Sequence, residues 1–231
     1  PEETARRAKF IYINYPNNPT GAVATKAFYE KLVAWAKTYE VGVVSDLAYG
    51  ALGYQGYENP SFLSTPGAKD VGIEFYTFSK TFNMAGWRLA FAAGNDQMIE
   101  ALNLIQDHLF VGIFPTLQEA GIAALLDPKS EEAVAQLNAT YDSRRDAFVQ
   151  AAAKIGWQAF PSRGSFYAWM PVPEGYTSES FADLLLEKAH VAVAPGKGFG
   201  PAGDAYVRIG LFGRARTSGR SSRSYCQLAI I

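Results

Sequence analysis

Apolar and polar positions follow two rhythms along the first half of the chain. Four short apolar runs, at residues 10–13, 41–45, 73–78 and 89–94, have the length and the aromatic or β-branched content of strands. Between the first two, residues 25–39 have a helical period. Phe28, Leu32, Trp35 and Tyr39 fall on one face, and Thr25 stands where an N-cap belongs. Met98, Leu102, Ile105 and Leu109 mark a further helix. Pro115 opens the next, which runs through Leu126. Strands that are apolar throughout and alternate with helices predict an α/β domain with a largely buried sheet, mostly parallel, with helices on both faces.

The rhythm changes after residue 130. Ser130, followed by Glu131 and Glu132, starts a long helix that carries Val134, Leu137, Tyr141 and Phe148 on its apolar side. Short strands at 165–170, 191–194 and 206–211 and a helix at 178–189 then predict a smaller α+β domain. The resulting division is 1–128 for the larger domain, 129–156 for a connecting helix, 157–211 for the small domain and 212–231 for an atypical tail.

Composition narrows the function classes. The chain has 231 residues, 48% of them hydrophobic and 14% aromatic, enough for a real core. A net charge of −1 argues against a nucleic-acid or membrane-surface role. No apolar run reaches the length of a bilayer span. Cys226 is the one cysteine, so no disulfide framework forms within the chain, and a cytoplasmic setting is expected.

Chemistry concentrates at the ends of the predicted strands, where loops of an α/β sheet gather ligands. Asn18 follows the first strand in Tyr15-Pro16-Asn17-Asn18-Pro19-Thr20-Gly21. Asp46 and Tyr49 follow the second. Lys80 follows the third in Thr77-Phe78-Ser79-Lys80, with Arg88 eight positions later. Each has a plain structural reading: turn chemistry for Asn18, a helix N-cap for Asp46, a rim position for Tyr49, a solvated strand end for Lys80. Together they match the needs of a pyridine aldehyde cofactor. A carboxylate keeps the ring nitrogen protonated, a partly desolvated lysine beside a cation carries the aldehyde, and hydroxyl and amide groups hold the ring oxygen.

These segments, with Pro161-Ser162-Arg163-Gly164-Ser165-Phe166 and Ala194-Pro195-Gly196 through Val207-Arg208-Ile209, resemble the class I/II aminotransferases. These are fold-type I enzymes dependent on pyridoxal 5'-phosphate, and the likeness is to the branch with diaminopimelate, methionine and aromatic aminotransferases. The resemblance covers residues 10 to 211 in the family's order. It implies Lys80 as the Schiff-base lysine and proton shuttle, and Asp46 as the partner of the pyridine nitrogen. Tyr49 and Asn18 would hold the 3′-oxygen, and Arg88 the phosphate, with Ser79 also at the cofactor. Thr77 stands where the family usually has a serine that touches the phosphate. Arg208, with Asn18, would bind the substrate carboxylate. The implied reaction moves an amino group between an L-amino acid and a 2-oxo acid, in a homodimer when full length. An apolar or sulfur-containing substrate is favoured.

The same scaffold also supports carbon–sulfur lyases, decarboxylases and the effector domains of some transcription regulators. Gly196-Lys197-Gly198-Phe199-Gly200 lacks the following helix of a dinucleotide fingerprint and reads as a loop near the carboxylate site. Gly164–Tyr167 is a further candidate lining. His108 and His190 read as structural, and Phe82 and Trp87 as packing around the lysine loop. The resemblance further implies that the family's N-terminal part, with its glycine-rich phosphate loop and ring-stacking aromatic, lies upstream of Pro1. A reading-frame change would account for the basic, acid-free stretch 212–231.

Overall fold

The computed structural model describes residues 1–160 and 162–212. Pro161, the tail beyond Phe212 and Cys226 lie outside the described residues. The chain clusters into two units. One comprises Pro1–Pro16 and Val23–Leu137, and the other Asn17–Ala22 and the chain from Asn138 onward.

The first unit carries a four-stranded sheet of β1 (Phe10–Asn14), β2 (Gly42–Asp46), β3 (Gly72–Thr77) and β4 (Ala90–Gly94), in that order. The first three strands are parallel and β4 is antiparallel to β3. The helices are α1 (Glu2–Arg7), α2 (Lys26–Tyr39), α3 (Ala68–Val71), α4 (Phe78–Thr81), α5 (Asp96–Leu109) and α6 (Pro115–Leu126). α2 begins as its sequence predicts, with the Thr25 side chain accepting from the Phe28 amide. Its buried face is Tyr29, Leu32, Val33 and Ala36, packed on Ile13, Val43 and Phe62. The predicted stripe through Phe28 is therefore turned by one position: Tyr29 is buried and Phe28 is not.

Two other expectations need correction. β1 is not buried on both faces, since Phe10 and Tyr12 are 63% and 64% exposed while Ile13 is buried. The third strand stops at Thr77, because the Thr77 hydroxyl accepts from the Ser79 amide and starts α4 at Phe78. The apolar stripe of α5 is present, but no residue of that helix is buried. Under β3, the buried carboxylate of Glu74 accepts from Ser45 Oγ at 3.0 Å, Ser61 Oγ at 2.5 Å and the Phe62 amide at 2.8 Å.

α7 (Ser130–Lys154) is the long predicted helix, and its residues from Asn138 belong to the second unit. That unit holds an antiparallel sheet of order β5-β7-β6, made of β5 (Tyr167–Pro171), β7 (Tyr206–Gly210) and β6 (Ala194–Pro195). Of the predicted strand 191–194 only Ala194 pairs, and the paired segment extends one residue further, to Pro195. The predicted helix 178–189 splits into α8 (Ser178–Leu184) and a wider π-type turn at Leu185–Ala189. Ala152, Ala168, Met170, Phe181, Val207, Ile209 and Leu211 form its core. A core leucine truncated to alanine costs about 2–5 kcal/mol, so Leu211 matters to the fold of β7's end.

Candidate active site

Asp46 is the last residue of β2, in register with Asn14 on β1. No helix follows it, so the N-cap reading does not hold. The chain turns instead, and Asp46 Oδ1 accepts from the Ala48 amide at 3.1 Å. Oδ2 accepts from the Tyr12 hydroxyl at 2.6 Å, and the Asn14 side chain donates to the Asp46 carbonyl at 3.0 Å. Tyr12 was absent from the sequence expectations. Burial, then the bond to Asp46 and its charge, raise the Tyr12 phenol's pKa well above the ordinary tyrosine value, so it remains a donor.

β3 delivers Lys80 through α4. The Thr77 hydroxyl caps that turn, bonds to Ser79 Oγ at 3.0 Å and donates to the Leu89 carbonyl at 3.3 Å. Ser79 is buried and Lys80 half-buried. Lys80 Nζ lies 5.9 Å from the ring centre of the buried Tyr49. Burial lowers the Lys80 pKa, the Arg88 charge lowers it further, and Asp46 opposes both. Arg88 adopts a left-handed backbone, φ 53°, and donates from Nη1 to the Ala85 carbonyl at 3.0 Å. That conformation costs a non-glycine residue about 1 kcal/mol and turns the chain from the lysine loop into β4.

The other sequence-predicted residues meet in the second unit. Asn17 supplies turn chemistry: its Oδ1 accepts from the Thr20 hydroxyl at 2.7 Å and the Thr20 amide at 3.2 Å. Asn18 Oδ1 accepts from Arg208 Nη1 at 2.6 Å. The Arg208 guanidinium carbon lies 4.1 Å from the Tyr167 ring centre and 4.7 Å from that of Phe199. Tyr167, from the Gly164–Tyr167 stretch, and Phe199, from the glycine-rich loop, thus both reach Arg208.

Asp46, Tyr49, Thr77, Ser79, Lys80 and Arg88 therefore belong to the first unit, and Asn18 and Arg208 to the second. His108 is exposed and bonds from Nδ1 to the Leu104 carbonyl at 2.8 Å, and His190 ends the π-type turn in a left-handed conformation. Phe82 packs on Phe78 at 5.7 Å, but Trp87 is exposed rather than packed. Tyr12 had one available signal: a polar-tipped residue two positions before Asn14, on the same side of the sheet as Asp46.

Residues 1–216 match the family model described as aminotransferase class I and II. The L-glutamine–4-(methylsulfanyl)-2-oxobutanoate aminotransferase of Bacillus subtilis is 58% identical over 90% of this chain and 52% of its own. An LL-diaminopimelate aminotransferase of Moorella thermoacetica is 49% identical, over 91% and 54%. The chain thus spans about half the length of these curated relatives. Among solved structures, an aminotransferase from Staphylococcus aureus superposes with a TM-score of 0.88 at 40% identity, covering 91% of this chain and 55% of that one. BacF of Bacillus subtilis gives 0.88 at 46% identity, over 93% and 54%. With a mixed sheet that carries Asp46 at the end of β2 and Lys80 in the turn of helix after β3, and relatives of this closeness, the chain belongs to the class I and II aminotransferases.

Proposed function

We infer that the protein transfers an amino group between an L-amino acid and a 2-oxo acid with pyridoxal 5'-phosphate. The observation that carries this is Lys80, half-buried, with its pKa lowered by burial and Arg88 and with the Asp46 charge acting on it. The donor set fits the cofactor: a carboxylate at a strand end, an amine whose burial disfavours its charged form, an arginine and hydroxyls in one unit. When bound, the cofactor supplies an aldehyde for attachment and a ring that takes up the electron pair released at the substrate Cα.

Asp46 would hold the ring nitrogen's proton, Tyr49 and Asn18 the 3′-oxygen, Lys80 the aldehyde, and Arg88, Thr77 and Ser79 the phosphate. Lys80 Nζ, freed by the incoming amine, would take the proton from the substrate Cα and deliver it to the cofactor's aldehyde-derived carbon, which requires the neutral amine that burial and Arg88 favour. Arg208 takes the α-carboxylate, with Asn18 beside it. The relatives' names favour a sulfur-containing or diaminodicarboxylic side chain, and support transfer over elimination or effector sensing. A homodimer and a cytoplasmic setting belong to the same proposal. No helix among the described residues is long and apolar enough to cross a membrane.

The test uses the intact protein. Incubation with pyridoxal 5'-phosphate and borohydride should add the cofactor's mass to the Lys80 peptide, and Lys80→Ala should abolish this. L-Methionine should yield its 2-oxo acid only with an amino acceptor present, and LL-diaminopimelate is the comparison substrate. Ammonia or thiol release without acceptor would overturn the reading.

A further inference from the structure

We propose that Tyr167 and Phe199 are positioning residues: they hold the Arg208 guanidinium by its faces, so that only its in-plane N–H edge is offered to a carboxylate. This rests on the reading that Arg208 takes the substrate carboxylate. Both rings lie well inside the distance at which a guanidinium interacts with an aromatic face, at 4.1 Å and 4.7 Å. Asn18 Oδ1, at 2.6 Å from Nη1, fixes rotation within the plane. A flexible side chain with several rotamers is thereby held before substrate arrives, and less ordering cost remains for binding.

The surrounding structure keeps the rings in place. Trp169 pairs with Arg208 across β5 and β7, so Tyr167, two residues along, shares that side of the sheet. Trp169 also packs edge-on against Phe199 at 5.9 Å and stacks on Tyr206 at 5.2 Å. The loop that carries Phe199 is pinned at both ends. A Cβ on Gly196 would come 2.1 Å from the Gly203 carbonyl oxygen, so the two backbone segments touch. Ser178 Oγ donates to Asp204 at 2.8 Å and accepts from the Lys197 amide at 3.2 Å. Lys197 Nζ meets Glu179 at 2.7 Å.

Phe199→Leu and Tyr167→Leu, in the intact protein, should each raise KM for the amino acid about tenfold with kcat little changed. Tyr167→Phe keeps the ring and should restore KM to within about twofold, because the face and not the hydroxyl acts. The Arg208 Nε–H resonance should be displaced by the rings in the parent protein and move toward its ordinary position in both leucine variants. Phe199 is 40% exposed, so its variant folds even if Tyr167→Leu does not. If Arg208→Gln raises KM while neither leucine variant moves KM or the resonance, the positioning role is overturned and the carboxylate reading stands. If Arg208→Gln leaves KM unchanged, the carboxylate reading falls and takes the proposal with it.

Discussion

The Tyr12 hydroxyl donates to Asp46 Oδ2 across 2.6 Å, tying the carboxylate at the end of β2 to the neighbouring strand. With the Ala48 amide on Oδ1, it holds both oxygens of the residue we propose as partner of the cofactor's ring nitrogen. Removing it should loosen that carboxylate without touching Lys80. Tyr12→Phe should cost about 1 kcal/mol in urea unfolding, less than a buried bond to a charged acceptor, because Tyr12 is largely exposed. Asp46→Asn should bring the Tyr12 ionisation down in pH, read from tyrosinate absorbance, because the Asp46 bond and charge both raise it. An unchanged titration would contradict the contact.

Lys80 provides a test with two opposite signs. Its pKa lies below the ordinary 10.5, through burial first and Arg88 second, while Asp46 raises it. Arg88→Leu should therefore shift the pH at which Lys80 is acylated upward, and Asp46→Asn should shift it downward, both measured by competitive labelling and peptide mass. The folded state disfavours the ammonium, so the unfolded chain binds more protons between the lowered value and 10.5. This group's contribution to stability consequently rises with pH through that window.

The placement of the proposed site residues is legible in the sequence where they follow apolar runs, because such runs become strands and their ends become loops. Thr25, Lys80, Asp46 and Arg208 carried local signals: a cap, a lysine after an apolar run, an acid after an apolar run, an arginine on a short strand. Tyr12 carried only a faint one, since a tyrosine within a strand reads as packing until the register pairs Asn14 with Asp46 and so puts Tyr12 on the same side of the sheet. Phe28 was misplaced for a related reason. The helical period fixes spacing, but Phe28 and Tyr29 are adjacent aromatics, and only contact with Phe62 selects Tyr29. The two-residue pairing of Ala194 and Pro195 was invisible because β propensity counts residues, and strand pairing counts partners.

Glu74 anchors the underside of the same sheet. Its carboxylate is 6% exposed and accepts from Ser45, Ser61 and the Phe62 amide. Glu74→Ala leaves three donors without that acceptor and should lower stability by about 3 kcal/mol. Glu74→Gln, which keeps one acceptor oxygen and introduces two donors, should fall between. Denaturant midpoints of the two variants, compared with the parent, check the order.

Gly196 is tested by a single methyl group. An alanine Cβ there would meet the Gly203 carbonyl oxygen at 2.1 Å and that of Tyr206 at 2.4 Å, both backbone atoms that cannot swing aside. Gly196→Ala should cost about 2 kcal/mol or more through displaced backbone. Gly198→Ala, where nothing lies within 4 Å, should cost far less. Thermal unfolding followed by near-ultraviolet circular dichroism separates the two.

The turn at Asn17–Ala22 counts with the unit that resumes at Asn138, and Gly21 packs so closely on Ser162 that a Cβ would sit 2.1 Å from its Oγ. Asn18 and Arg208, bonded to each other, are 190 residues apart in sequence. The second unit is therefore not a cassette. A gene segment starting at Asn138 would encode Arg208 without its amide partner, and any single crossover between Asn18 and Arg208 separates the pair. During synthesis the turn leaves the ribosome first and its arginine much later, so their bond forms only after β7 has been made.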